Sequence, residues 1–138
     1  MNNKQSILFI CTHNSARSQM AEGLMREHFG DRFDCYSAGT EKTFVKPHAI
    51  AALQDAGIAT DMLSSKTIDA FEGQHIDYVI TVCDSAKETC PWFPANKQLI
   101  HAPFTDPSNE GETDAENIAA FCRVRDEIKV WLFDKFSV

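Results

Sequence analysis

A chain of 138 residues is the size of one domain. With 43% hydrophobic and 24% charged residues it can bury a single core, which excludes a disordered chain. Its formal net charge of -7 excludes a broad basic footprint for nucleic acid or an anionic membrane, so any anion it binds must be held by a local device. No apolar run approaches the roughly 18 residues needed to span a bilayer. The polar start and short apolar stretch that follows do not make a signal peptide, and a cytosolic location is expected.

Ser6 to Cys11 is a continuous apolar run of strand length, as expected for a strand buried on both faces. Polar Thr12-His13-Asn14-Ser15 breaks it. A helical period follows from Ala16 to Phe29, with Ala16, Met20 and Leu24 on one stripe and Ala21, Met25 and Phe29 beside it, closed by Gly30. Asp34 to Ala38 reads as a second strand ended by Gly39. Pro47 to Ala56 reads as a helix with proline in its first turn and Gly57 just past its end. Asp77 to Val82, rich in β-branched residues, is a third strand, and Lys97 to His101 a shorter fourth. Thr113-Asp114-Ala115-Glu116 has the spacing of a capping box and opens a last helix to about Phe136. Strands alternating with helices predict an α/β fold, with a mainly parallel sheet covered by helices on both faces. No repeat or linker divides the chain, so residues 1–138 are read as one domain.

The segment Cys11-Thr12-His13-Asn14-Ser15-Ala16-Arg17-Ser18 joins the first strand to the first helix. In an open parallel sheet, ligands collect at the carboxyl ends of strands. A loop entering a helix there offers unpaired backbone N–H groups to an anion, and the helix dipole adds positive charge. The same field favours a thiolate over a thiol, which makes Cys11 a candidate nucleophile. The planar fork of Arg17 can hold two oxygens of a tetrahedral anion. Ser15 and Ser18 can donate hydrogen bonds to the thiolate. Asn14 tolerates the left-handed backbone that a tight cradle needs. The side chain of His13 is read as solvent-facing. Thr12 to Ser18 is thus a candidate cradle for a phosphate-like oxyanion.

Breaking a bond to such an anion leaves an oxygen that needs a proton. Asp106, held by Pro107 in the loop-like stretch from His101 to Gly111, is the candidate general acid. The five cysteines are Cys11, Cys35, Cys83, Cys90 and Cys122, an odd set that describes no structural disulfide framework. Cys35 and Cys122 read as small buried hydrophobes. Cys83 follows the third strand, at the same sheet edge as Cys11. If those strands are neighbours they lie about 4.8 Å apart, within the range a disulfide accepts. Cys83 and Cys90 are separated by a rise of about 10.5 Å if the segment is helical, so they pair only if it unwinds. No paired CxxC or histidine spacing completes a zinc site, and no metal is expected.

Cys11 to Gly23, then Thr81-Val82-Cys83-Asp84-Ser85-Ala86 with Cys90-Pro91, then Asp106-Pro107, and Phe121 to Lys129 together resemble the thioredoxin-coupled arsenate reductases. These share the low-molecular-weight protein tyrosine phosphatase fold, and the resemblance implies a four-stranded parallel sheet of that type. It also implies a reaction. Arsenate binds in the loop, Cys11 attacks arsenic, and Asp106 protonates the departing oxygen. Cys83 attacks the Cys11–arsenic adduct, arsenite leaves, and Cys90 converts the Cys11–Cys83 disulfide into Cys83–Cys90 for reduction by thioredoxin. Glutaredoxin with glutathione is the alternative reductant, and no organic cofactor or catalytic metal is implied. Two residues depart from many relatives, Ala16 where another cysteine is common and His13 where glycine is. Some relatives bind potassium with groups corresponding to Asn14, Glu22 and Ser37. Lys66 is positioned to supply an ammonium there instead, or is a solvated surface lysine. A tyrosine phosphatase would need Cys11, Arg17 and Asp106 but gives no task to Cys83 or Cys90. A sensor binding arsenite through the three thiols is the non-enzymatic alternative.

Overall fold

The computed structural model describes residues 4–14, 16–83, 93–108 and 110–137. Seven elements follow in order: β1 (Gln5–Ile10), α1 (Arg17–Phe29), β2 (Phe33–Ala38), α2 (Pro47–Asp55), β3 (Tyr78–Thr81), β4 (Gln98–His101) and α3 (Asp114–Phe136). A short 3₁₀ helix, Ile68–Phe71, precedes β3. Its four residues are too few to carry a periodic signal, and the sequence gives no warning of it.

The four strands form one parallel sheet in the order β2-β1-β3-β4. β1 is central, and Ile7, Leu8, Phe9 and Ile10 have no exposed surface. Ile7 and Phe9 face a core shared with Met20, Leu24, Leu53, Phe121 and Ile128 of the three α-helices. Leu8 and Ile10 face the other side, where Phe71 of the 3₁₀ helix, Ile76 and Phe93 cover them. Alternate residues thus feed two cores, which is why this run is apolar without interruption. Each such fully buried side chain stabilises the fold by about 1.5–3 kcal/mol. Helical structure covers both faces as expected; among the described residues it covers the second by one short turn.

The cap at the start of α3 forms, with Thr113 Oγ1 accepting from the Glu116 N–H at 3.1 Å; the return bond of Glu116 Oε1 goes to the N–H of Glu112, one residue before the cap, at 3.3 Å. Arg125 of α3 ties down α2, donating through Nη1 to Ala52 O at 2.6 Å and to Asp55 Oδ2 at 3.1 Å. A cation at the C-terminal end of α2 satisfies a terminal carbonyl and complements the helix dipole. Among the described residues no helix is long and apolar enough to cross a membrane.

Candidate active site

The chain leaves β1 toward β2 on one side, while β3 lies on the other. This is a topological switch point, where the loops above neighbouring strands diverge and open a crevice. Cys11 leaves the carboxyl end of β1 and Cys83 that of β3, with Ile10 paired to Thr81 across the two strands. The adjacency on which a Cys11–Cys83 encounter depends is therefore present. Cys83 Sγ donates to Ile10 O at 3.7 Å and accepts from Thr12 Oγ1 at 4.0 Å, so it contacts the residues on both sides of Cys11. Cys11 is 3% exposed and Cys83 fully buried.

Asn14 is the only described residue other than glycine with a positive φ, at 49°. Its side chain keeps that conformation in place: Nδ2 donates to Ser18 Oγ at 2.9 Å and Oδ1 accepts the Lys66 N–H at 2.7 Å. With its oxygen accepting from Asn14, Ser18 keeps its own hydrogen for another acceptor. Ala16 precedes α1 with no side-chain cap, and the first turn holds no acidic residue. That end of the helix keeps its positive partial charge for a ligand.

Arg17 is 2% exposed. Its Nη1 donates to Phe104 O at 3.1 Å, and its Nη2 lies 3.7 Å from Asp106 Oδ2. The candidate acid and the candidate anion-binding guanidinium are thus brought together, although they lie 89 positions apart in sequence. Asp106 is exposed, and its Oδ1 accepts the Ser108 N–H at 2.9 Å, a side-chain turn that encloses Pro107. The His13 imidazole is half-exposed and lies 3.4 Å from Glu41 Oε2. Ser15 and Cys90 lie outside the described residues.

Three supporting residues carry no chemical signal in the sequence. Gln19 is fully buried and donates through Nε2 to Asn14 O at 2.9 Å and Ser64 O at 2.8 Å, tying the cradle to the 60s segment. Ser65 Oγ accepts the Thr43 N–H at 2.8 Å, while Thr43 Oγ1 donates to His13 O at 2.9 Å. Gly39 lies under the loop. A Cβ there would sit 2.6 Å from both Cys11 O and Thr12 O and 2.8 Å from the Asn14 N, so any side chain would displace the cradle backbone.

Beside the loop, Glu22 is a buried carboxylate whose two oxygens are both occupied. Oε2 accepts from Arg26 at 2.6 Å and Oε1 from Ser37 at 2.6 Å, with Lys66 Nζ 4.0 Å from Oε1. Lys66 Nζ also donates to Ser64 O at 2.6 Å. Burial lowers the Lys66 pKa, opposed by the Glu22 carboxylate. A monovalent cation at Glu22 and Ser37 would compete with this ammonium, so the residues present do not fit a bound potassium ion. Among the described residues no group of three His, Cys, Asp or Glu could hold a metal.

The other described cysteines stand apart. Burial pushes the Cys35 thiol up to about 12, despite the Arg26 guanidinium nearby. Cys122 is only partly buried and accepts from Arg125 Nη1 at 3.5 Å. Its thiol is also raised by burial. Neither matches the electropositive surroundings of a reactive cysteine.

Comparison with known proteins agrees with this geometry. The family model described as low molecular weight phosphotyrosine protein phosphatase matches residues 6–133. An arsenate reductase of Halalkalibacterium halodurans is 47% identical over 126 residues, covering 91% of each chain. A solved arsenate reductase in a phosphate-binding state superposes with a TM-score of 0.76 at 26% identity, covering 95% of each chain. A thioredoxin-dependent arsenate reductase of Corynebacterium glutamicum gives a TM-score of 0.65 at 25% identity, over 99% of this chain and 65% of its own. With a matching model over almost its whole length and a close relative covered nearly end to end, this chain belongs to the low molecular weight phosphotyrosine protein phosphatase family.

Proposed function

We propose that the chain reduces arsenate to arsenite, with Cys11 as nucleophile and Cys83 as the second thiol. The observation that carries this reading is the contact of Cys83 Sγ with Ile10 O and Thr12 Oγ1, on either side of Cys11. A phosphatase working through Cys11 alone has no use for a second sulfur there. The arsenate reductase of H. halodurans, 47% identical, supports the same reading.

In this mechanism the backbone amides of Thr12 to Ser18 and the guanidinium of Arg17 hold the oxyanion. Cys11 Sγ⁻ attacks arsenic, an As–O bond breaks, and Asp106 gives its proton to the leaving oxygen. Cys83 Sγ⁻ then attacks Cys11 Sγ. The S–S bond forms, the As–S electron pair passes to arsenic, and arsenic leaves reduced by two electrons. Cys90 attacks Cys83, Cys11 departs as a thiolate, and thioredoxin reduces the Cys83–Cys90 disulfide. Thioredoxin dependence in the C. glutamicum relative supports that choice of reductant.

The test is arsenate-dependent NADPH oxidation with thioredoxin and thioredoxin reductase, using the native protein and Cys90→Ala. Turnover is expected in the native protein only, with the variant trapped as a Cys11–Cys83 disulfide. Turnover with glutaredoxin alone would keep the reaction and replace the reductant. Absence of both, with ready hydrolysis of p-nitrophenyl phosphate, would make the chain a phosphatase.

Lys66, with Arg26, supplies positive charge beside Glu22 in this reading, on the Ser37 side where an ion would sit. Exchanging sodium for potassium at constant ionic strength is accordingly expected to change kcat/KM by less than about twofold, because no differential ion contact is made. A several-fold rise in potassium would return Lys66 to a surface role.

A further inference from the structure

The described residues of the segment that carries Asp106, 102–108 and 110–113, have no regular secondary structure, yet the segment is fastened at both ends. At its start the Ala102 N–H donates to Thr81 O at 2.8 Å and the Phe104 N–H to Val82 O at 3.2 Å. Phe104 also meets Trp131 of α3 edge to face, with ring centres 6.5 Å apart. The far end is docked on the first turns of α3. There the Gly111 N–H donates to Asn117 Oδ1 at 3.0 Å. A Cβ on Gly111 would lie 2.4 Å from Glu116 Cβ and 2.9 Å from its carbonyl carbon, so a side chain would hold the segment off the helix. Arg123 Nη2 donates to both carboxylate oxygens of Glu110, at 2.7 and 2.8 Å.

Two hydrogen bonds link the described residues between Asp106 and Glu110. Asp106 Oδ1 accepts the Ser108 N–H, and the Glu110 N–H donates to Pro107 O at 3.4 Å. Because Glu110 is bonded to Pro107, the neighbour of Asp106 whose ring fixes one φ, a displacement of Glu110 is passed on to Asp106. Arg17 holds the inner side of the same segment at Phe104 O and Asp106. Nothing in the reaction itself calls for Arg123, yet it makes the two-oxygen contact that ties this segment to the longest helix.

We propose that Arg123 is a positioning residue for the general acid: its ion pair with Glu110 holds the Asp106 turn against α3, so that the carboxyl stays within reach of the oxyanion bound at Arg17. The inference rests on the reading of Asp106 as the acid. It predicts that Arg123 acts on proton delivery and leaves anion affinity alone.

Single-turnover formation of arsenite from the reduced full-length protein is the measurement, with the Kd for inorganic phosphate read alongside. An exposed ion pair has a modest effect, so Arg123→Gln and Glu110→Gln should each slow the turnover by about twofold to fivefold, with the phosphate Kd unchanged. The exchange Arg123→Glu with Glu110→Arg should restore most of the rate. Asp106→Asn should slow it far more, and adding Arg123→Gln to Asp106→Asn should cost nothing further, since the acid it positions is gone. If Asp106→Asn is slow but Arg123→Gln is not, the positioning role falls and the acid stands. An Arg123→Gln effect of the same size in the Asp106→Asn background would make Arg123 merely structural and overturn the proposal. If Asp106→Asn leaves the rate intact, the acid assignment falls and the role of Arg123 with it.

Discussion

Cys83→Ser is expected to abolish arsenate turnover, by at least about a thousandfold, because a hydroxyl is not a nucleophile toward a sulfur at neutral pH. Serine keeps the volume of the side chain and can still donate to Ile10 O, where Cys83 now donates at 3.7 Å. The fold and the oxyanion loop should therefore survive. Without a second sulfur, the Cys11–arsenic adduct can only return to arsenate by attack of water. Arsenite release measured under thioredoxin recycling should vanish, while phosphate binding followed by calorimetry stays within about twofold of native. Hydrolysis of p-nitrophenyl phosphate, which needs no second thiol, should be unaffected where the native protein shows it. Turnover within tenfold of native would remove Cys83 from the reaction.

The second large effect is expected at Arg17. Arg17→Lys keeps the charge but replaces a planar fork with a single ammonium, which cannot bond Phe104 O and two oxyanion atoms together. Removing a directed donor from a buried oxyanion site typically costs about 10²–10³ in rate. The guanidinium is 2% exposed, so water cannot substitute for the lost donors. kcat/KM for arsenate should fall by about that factor, with phosphate affinity falling as well, and a thermal melt should separate this from unfolding. A variant within fivefold of native would mean that the backbone amides alone carry anion binding.

Much of this site is written locally in the sequence, and the parts that are not share a reason. Cys11, Asn14 and Arg17 announce themselves because they occupy one short stretch between a buried strand and a helix. Asn14 takes the left-handed φ that its residue type allows. The meeting of Cys11 and Cys83 depends on strand order, which the sequence leaves conditional until β1 and β3 are seen side by side. Gly39 reads as a strand end, whereas its main task is steric and concerns atoms more than 20 residues away. Gln19 looks like one more polar position on α1, but it is fully buried and joins Asn14 to Ser64. Such roles depend on which segments pack together, and no period or motif encodes that. The second face of the sheet shows the same limit, since a four-residue 3₁₀ helix leaves no amphipathic trace.

The depth of the two sulfurs has a consequence for the supply of electrons. A folded protein that reduces a disulfide must bring its own thiolate into van der Waals contact with the sulfur it attacks. Cys83 offers no surface at all, and Cys11 almost none. A small oxyanion can be drawn into the loop, but a bond between these two cysteines is insulated from any macromolecular donor. In the proposed relay, oxidation and re-reduction would therefore be separated in space, with a third thiol as the terminal that carries the oxidised state outward. Burial of the first two cysteines is the physical reason such a terminal would be of use in the proposed reaction.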